Sequence, residues 1–273
     1  MAGWLACMVV MVVAGREATR ELSVFQVMEL RSLIGLALLY PLIHRAGGAR
    51  AMKTAHPGRQ IVRNVAHYAA QCGWLAALGL IPVAQVVSIE FTMPIWTAIL
   101  AVAFLGERMG LWKNLAVLLG LIGVATIVRP FGGEVSTGQL IALGASFGFA
   151  TSVILVKALT RTDRVTAILF WMVVIQSLLG LVPALMVWQW PSGTAWGWLL
   201  VIGFCGTYSH YCMTRALLHA DATLVVPMDF LRVPLAALTG WLVYAERIDL
   251  LTAVGAALIL VGNLLNLRTA RTR

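Results

Sequence analysis

Charge is what this chain has least of. Only 11% of its 273 residues are charged, where a soluble domain carries about a quarter, so a water-soluble fold is excluded. Acid is scarcest, eleven Asp and Glu against twenty Lys and Arg. The four cysteines (Cys7, Cys72, Cys205 and Cys212) sit singly in apolar stretches with no CxxC, which leaves no basis for a disulfide framework or a zinc site. No HExxH, P-loop or GxGxxG occurs, so zinc hydrolysis and nucleotide-driven pumping lack support, and neither a cofactor nor a metal is expected. The longest polar stretch, 44–63, is too short for a separate soluble domain. The net charge of +9 is scattered over short loops, the pattern of a positive-inside membrane protein and not of a nucleic-acid binder.

What remains is apolar: 60% of residues are hydrophobic and the mean hydropathy is +0.89. Lipid cannot hydrate a backbone, so recurring apolar stretches read as spanning helices. Ten are expected, at 1–19, 23–43, 61–80, 84–105, 112–129, 137–157, 165–188, 195–217, 222–244 and 250–267. Turn signals such as Gly47-Gly48, Ile81-Pro82, Gly132-Gly133 and Pro191-Ser192-Gly193 separate several of them. Residues 1–15 lack the basic n-region of a signal peptide and are short for a span, so the helix either continues past Arg16 or draws on residues upstream. Fourteen of the twenty lysines and arginines fall on the side of both termini, Arg63 among them. Four fall on the other side, and Arg31 and Arg232 lie within spans. Both termini are therefore expected in the cytoplasm.

The chain also repeats itself. Leu105 to Arg129 returns 139 residues later as Tyr244 to Arg268, with Glu107 on Glu246, Arg108 on Arg247, Gly123 on Gly262 and Glu90 on Asp229. Earlier segments align at an offset of 141, Arg16 with Lys157 and Arg20 with Arg161; the difference falls in a loop, where an insertion costs little. Two halves follow, 1–133 and 134–273, each of five helices. An odd number of spans turns the second copy upside down. The expected fold class is an all-α integral membrane protein of ten transmembrane helices in two inverted five-helix repeats.

The run ALGLIPVAQVVSIEFTMPIWTAILAVAFLGER (77–108), Arg31 within VMELRSLIGLALLYPL, Gly120 and Gly123 before IVRP, and VVPMDFLRVPLAALTGWLVYAER (225–247) resemble the drug/metabolite transporter superfamily, specifically its ten-helix EamA-type members. Tyr244-Ala245-Glu246 departs from the family's Gly-Glu pairing. The resemblance implies a metabolite carrier of the bacterial inner membrane, not an enzyme, moving amino acids, vitamins, nucleotide-related compounds or similar solutes. It does not single out one of them.

Charges within spans cost about 2.5–3.5 kcal/mol each on insertion scales and need a reason. Helix 2 carries Glu29 and Arg31, which at i, i+2 cannot share a face; helix 9 carries Asp229 and Arg232, which at i, i+3 can. Glu90 precedes Pro94, and Asp229 is flanked by Pro227 and Pro234, so both acids sit where proline frees backbone carbonyls. His67, Tyr68 and Gln71 on helix 3, and Tyr208 and His210 on helix 8, supply aromatic, amide and imidazole groups suited to an amphipathic solute. These ten residues are the substrate- or proton-binding candidates, the bland reading being salt bridges and an aromatic belt. Gly144-Ala145-Ser146-Phe147-Gly148 matches GxSxG, but mid-helix it reads as small-residue packing. The expected partners are a small-molecule metabolite, the lipid bilayer and a coupling proton. A lipid flippase on the same scaffold is the alternative; a membrane-embedded enzyme is the remoter one.

Overall fold

The computed structural model describes residues 2–93, 95–97, 99–100, 111–128, 135–219, 232–245 and 249–270. These form ten α-helices, with no strand among the described residues: α1 Ala2–Glu21, α2 Val24–Arg45, α3 Pro57–Leu80, α4 Val83–Glu90, α5 Leu111–Val128, α6 Thr137–Leu159, α7 Val165–Met186, α8 Gly193–His219, α9 Arg232–Tyr244 and α10 Leu250–Ala270. Three of them, α2, α6 and α7, are long and apolar enough to cross a membrane on length and composition alone.

Local chemistry sets the ends. Ser23 caps α2 by accepting the Gln26 N–H, and His44 and Arg45 lie at its negative C-terminal end. α3 starts at Pro57, at the N-terminal position where a missing N–H costs nothing, four residues earlier than the apolar pattern suggests. It stops at Ile81, held extended before Pro82. Ser136 and Gln139 form a reciprocal capping box on α6. The span expected at 84–105 is not one continuous α-helix: α4 ends at Glu90, residues 91–92 form a turn, and helix resumes at Met93. Pro94 has no N–H to give the Glu90 carbonyl, which accounts for a break there.

The helices pair in a regular way. α1 lies on α8 and α6 on α3; α2 lies on α7, α4 on α9, and α5 on α10. Exchanging α1–α5 for α6–α10 carries each of these pairs onto itself or another of the set. Glycine allows the closest approaches: a Cβ on Gly123 would stand 2.7 Å from the Gly255 carbonyl oxygen of α10, and one on Gly148 2.9 Å from Ala70 of α3. The GxSxG segment is thus a packing surface, where Ser146 exchanges a hydrogen bond with Thr92 and accepts another from Trp96.

Polarity runs opposite to that of a soluble protein. The outer face of α7 exposes Leu178, Val182, Leu185 and Met186, while Gln26, Glu29, Arg31, Arg63, Asn64, His67 and Arg232 are buried. Polar groups inside and apolar groups outside are what a bilayer demands.

At one end of the bundle Asp163, in the α6–α7 loop, ties down the α2–α3 connection. Its carboxylate accepts from the Ala55 N–H at 3.1 Å, from Gln60 at 3.1 Å and from the Thr54 hydroxyl. Burial alone would raise this carboxyl, yet the hydrogen bonds from Thr54, Ala55, Gln60 and Thr162 together bring it below the usual aspartate value. Its contribution is therefore full above the ordinary Asp value near ~3.9 and fades as pH falls through the lower folded value. Asp163→Ala is expected to cost about 1–3 kcal/mol at pH 7, with the gap from wild type narrowing in strongly acidic solution. Unfolding titrations in mixed micelles at the two pH values check this.

Candidate functional site

A cavity runs through the middle of the bundle, walled by α1, α2, α3, α4, α6, α8 and α9. α3 offers Arg63, His67, Gln71 and Trp74, spaced four, four and three residues apart and so on one helix face. α1 does likewise with Trp4, Met8, Met11 and Gly15. At about 1.5 Å per residue, the lining from Trp4 to Gly15 extends some 16 Å along its helix axis. The cavity volume is ≈ 100 Å³, well above the roughly 10–15 Å³ a single water needs.

The cavity has two polar poles. At one, Arg31, Arg63, His67 and His210 gather from α2, α3 and α8. The Nε2 atoms of His67 and His210 are 3.2 Å apart; a hydrogen bond there needs one bare nitrogen, so at least one imidazole is neutral. Arg63 donates to Asn64 at 2.5 Å, and Arg31 reaches the Met28 sulfur at 3.7 Å. Gly206 makes room for Arg31, since a Cβ there would stand 2.5 Å from its Nε. At the other pole Arg232 of α9 pairs with Glu90 of α4 at 2.9 Å, and the Trp74 indole N–H donates to the second Glu90 oxygen at 2.9 Å. The Arg232 guanidinium also lies over the Phe91 ring, 5.1 Å from its centroid. Both members of the ion pair are buried.

Of the ten residues singled out from the sequence, Arg31, His67, Gln71, Glu90, His210 and Arg232 line this cavity. Glu29 and Tyr68 do not. Glu29 points toward α7, where Ser177 donates to it at 2.5 Å, and Gly180 sits over its other oxygen and the Tyr68 hydroxyl. Tyr208 is 44% exposed on the outer side of α8, stacked on Phe204. It and His210 are two residues apart, about 200° around a helix, and cannot both face inward. Asp229 lies outside the described residues. Arg63 was missed: with the helix start read at 61 it fell to the cytoplasmic loop count. The signal that finds it is Pro57, which starts α3 a turn earlier. The loop bias then stands at thirteen to four, with the same sign.

A helical bundle with apolar flanks, a polar interior and an elongated cavity walled by both halves of the chain is the architecture of a membrane carrier. The chain belongs to the EamA-like transporter family, whose model matches it twice, over residues 2–129 and 136–268. It is a transporter of small metabolites. It is 31% identical over 245 residues to a riboflavin transporter of Rhizobium johnstonii, covering 88% of this chain and 80% of that protein. It is 26% identical to an S-adenosylmethionine uptake transporter of Rickettsia felis (89% and 83% covered) and 26% identical to a pseudopaline exporter of Pseudomonas aeruginosa (94% and 90% covered). A solved crystal structure shares the fold, with a TM-score of 0.70 over 99% of this chain and 96% of that one at 18% identity.

Proposed function

We propose that the chain is a secondary carrier of small polar or amphipathic metabolites, working by alternating access between two inverted halves of the bacterial inner membrane protein, with both termini cytoplasmic. The observation that carries this reading is the Glu90–Arg232 pair, one residue from each half, closing one pole of the shared cavity. A buried ion pair across the two halves holds this pole closed, since each partner is costly to leave unpaired, and it opens only where both partners find substitutes in the next state. The exchange symmetry of the helix pairs and the loop-charge bias support the inverted arrangement. Relatives named for riboflavin, S-adenosylmethionine and pseudopaline support small organic cargo. Arg31, His67, Gln71, Glu90, His210 and Arg232 are the proposed contacts.

Glu29 is the proposed site of a coupling proton. Its carboxyl is buried, one oxygen takes the Ser177 hydroxyl and the other has no partner among the described residues; Tyr68 of α3 shares its place over Gly180. A buried carboxyl without a cation gains most from taking up a proton. Glu90, by contrast, is held as the anion of an ion pair.

The test is counterflow in proteoliposomes over a panel of vitamins, amino acids and nucleosides, with and without a pH gradient. Saturable exchange of at least one class is expected. Glu29→Gln is expected to keep exchange and lose acceleration by the gradient. Exchange of no solute class would end the carrier reading, and an unchanged gradient response in Glu29→Gln would remove the proton from Glu29.

A further inference from the structure

The two poles of the cavity differ in charge balance. Arg232 is matched by Glu90, but no carboxylate among the described residues contacts Arg31 or Arg63. Both guanidiniums are buried, 4% and 2% exposed, and both line this one cavity. Among the described residues the cavity holds three guanidiniums, Arg31, Arg63 and Arg232, against the one carboxylate of Glu90. Two buried like charges with unfilled N–H donors are an expensive arrangement unless something anionic fills the space between them. The Nε of Arg63 and the Nδ1 of His67 are buried without partners, so donors remain to be used.

From this pole the lining turns apolar. Trp4, Trp74 and Phe149 present rings, and Met8, Met11 and Met28 present thioethers that re-pack around varied shapes. We infer that the transported solute is an amphipathic organic anion, its carboxylate or phosphate seated between Arg31 and Arg63 and its ring lying among Trp4, Trp74 and the methionines. Guanidinium matches either anion with two parallel N–H donors, so the geometry selects negative charge and leaves the choice between them to the rest of the solute. Whichever neutral imidazole of the histidine pair accepts at Nε2 carries its proton on Nδ1, which leaves the pair one further N–H donor. This assignment rests on the carrier reading above.

The test is binding to the full chain in lipid nanodiscs, by calorimetry, using solutes that share a ring and differ in charge. Indole-3-acetate, indole-3-acetamide and tryptamine form one series; riboflavin and its 5′-phosphate form the other, so that carboxylate and phosphate are told apart. The anion of at least one series should bind about tenfold or more tightly than its neutral partner. Arg63→Gln should remove that preference while leaving the neutral solute's affinity unchanged, and Arg63→Lys should retain part of it, as a point charge without the fork. Retention of the wild-type melting temperature by Arg63→Lys guards against loss of fold. Equal or tighter binding of the neutral or cationic member, unaffected by Arg63→Gln, overturns the anion assignment; with counterflow of that solute intact, the carrier reading survives. Absence of binding and exchange for every member, together with failure of the wider counterflow panel, overturns both.

Discussion

Arg232→Met is expected to lower the unfolding free energy by about 3–5 kcal/mol and to abolish exchange, because it takes the guanidinium away from the buried Glu90 carboxylate, to which the Trp74 indole still donates. The same change removes the contact with the Phe91 ring. Adding Glu90→Gln should recover most of the stability, since the remaining amide oxygen still accepts from Trp74 and no charge is stranded. Transport should stay lost, because the pair joining the two halves is gone. Two buried residues in contact are expected to be strongly non-additive. Titration with SDS in mixed micelles gives the stabilities, and counterflow gives the activities. Additive losses in the double variant would mean that the two residues act separately.

Trp74→Ala should have a comparable effect by another route. The indole is buried, packs in the main apolar cluster with Leu75 and Leu78, and supplies a donor to Glu90. Truncating a buried aromatic costs about 3–5 kcal/mol, most of it lost packing and a cavity left behind. Trp74→Phe separates much of the two contributions: it keeps one aromatic ring in the cluster and loses the hydrogen bond with the smaller part of the packing, so a loss of about 1–3 kcal/mol is expected. A phenylalanine variant as unstable as the alanine variant would show that the hydrogen bond to Glu90, not the packing, dominates at this position.

Much of the fold was legible because membrane helices are written in long apolar runs with turn residues between them. The repeat was legible because Glu107-Arg108 and Glu246-Arg247 recur at a fixed offset. Helix ends were less so: α3 reaches back to Pro57 through polar residues that resemble a loop, and that error moved Arg63 from cavity to surface. Of the charges read within spans, Arg31, Glu90 and Arg232 reach the cavity. Direction around a helix decided which of the other candidates reach the cavity. Glu29 and Tyr68 turn toward α7 and Tyr208 turns outward, while the neighbours Arg31, His67 and His210 turn inward. Which inward-facing groups meet depends on helix pairing: His67 against His210, and Trp74 with Arg232 around Glu90, are contacts between segments that no local pattern relates.

Alternating access is the central claim, and the accessibility of one cavity position tests it most directly. Ser152 is buried in the cavity wall on α6, and a cysteine there is nearly isosteric. With the four native cysteines replaced by alanine, Ser152→Cys would be treated with a membrane-impermeant thiol reagent in right-side-out and inside-out vesicles. Reaction from both sides, with a transported solute slowing it from each, is the predicted result. Reaction from one side only, under every solute and gradient condition, would contradict it.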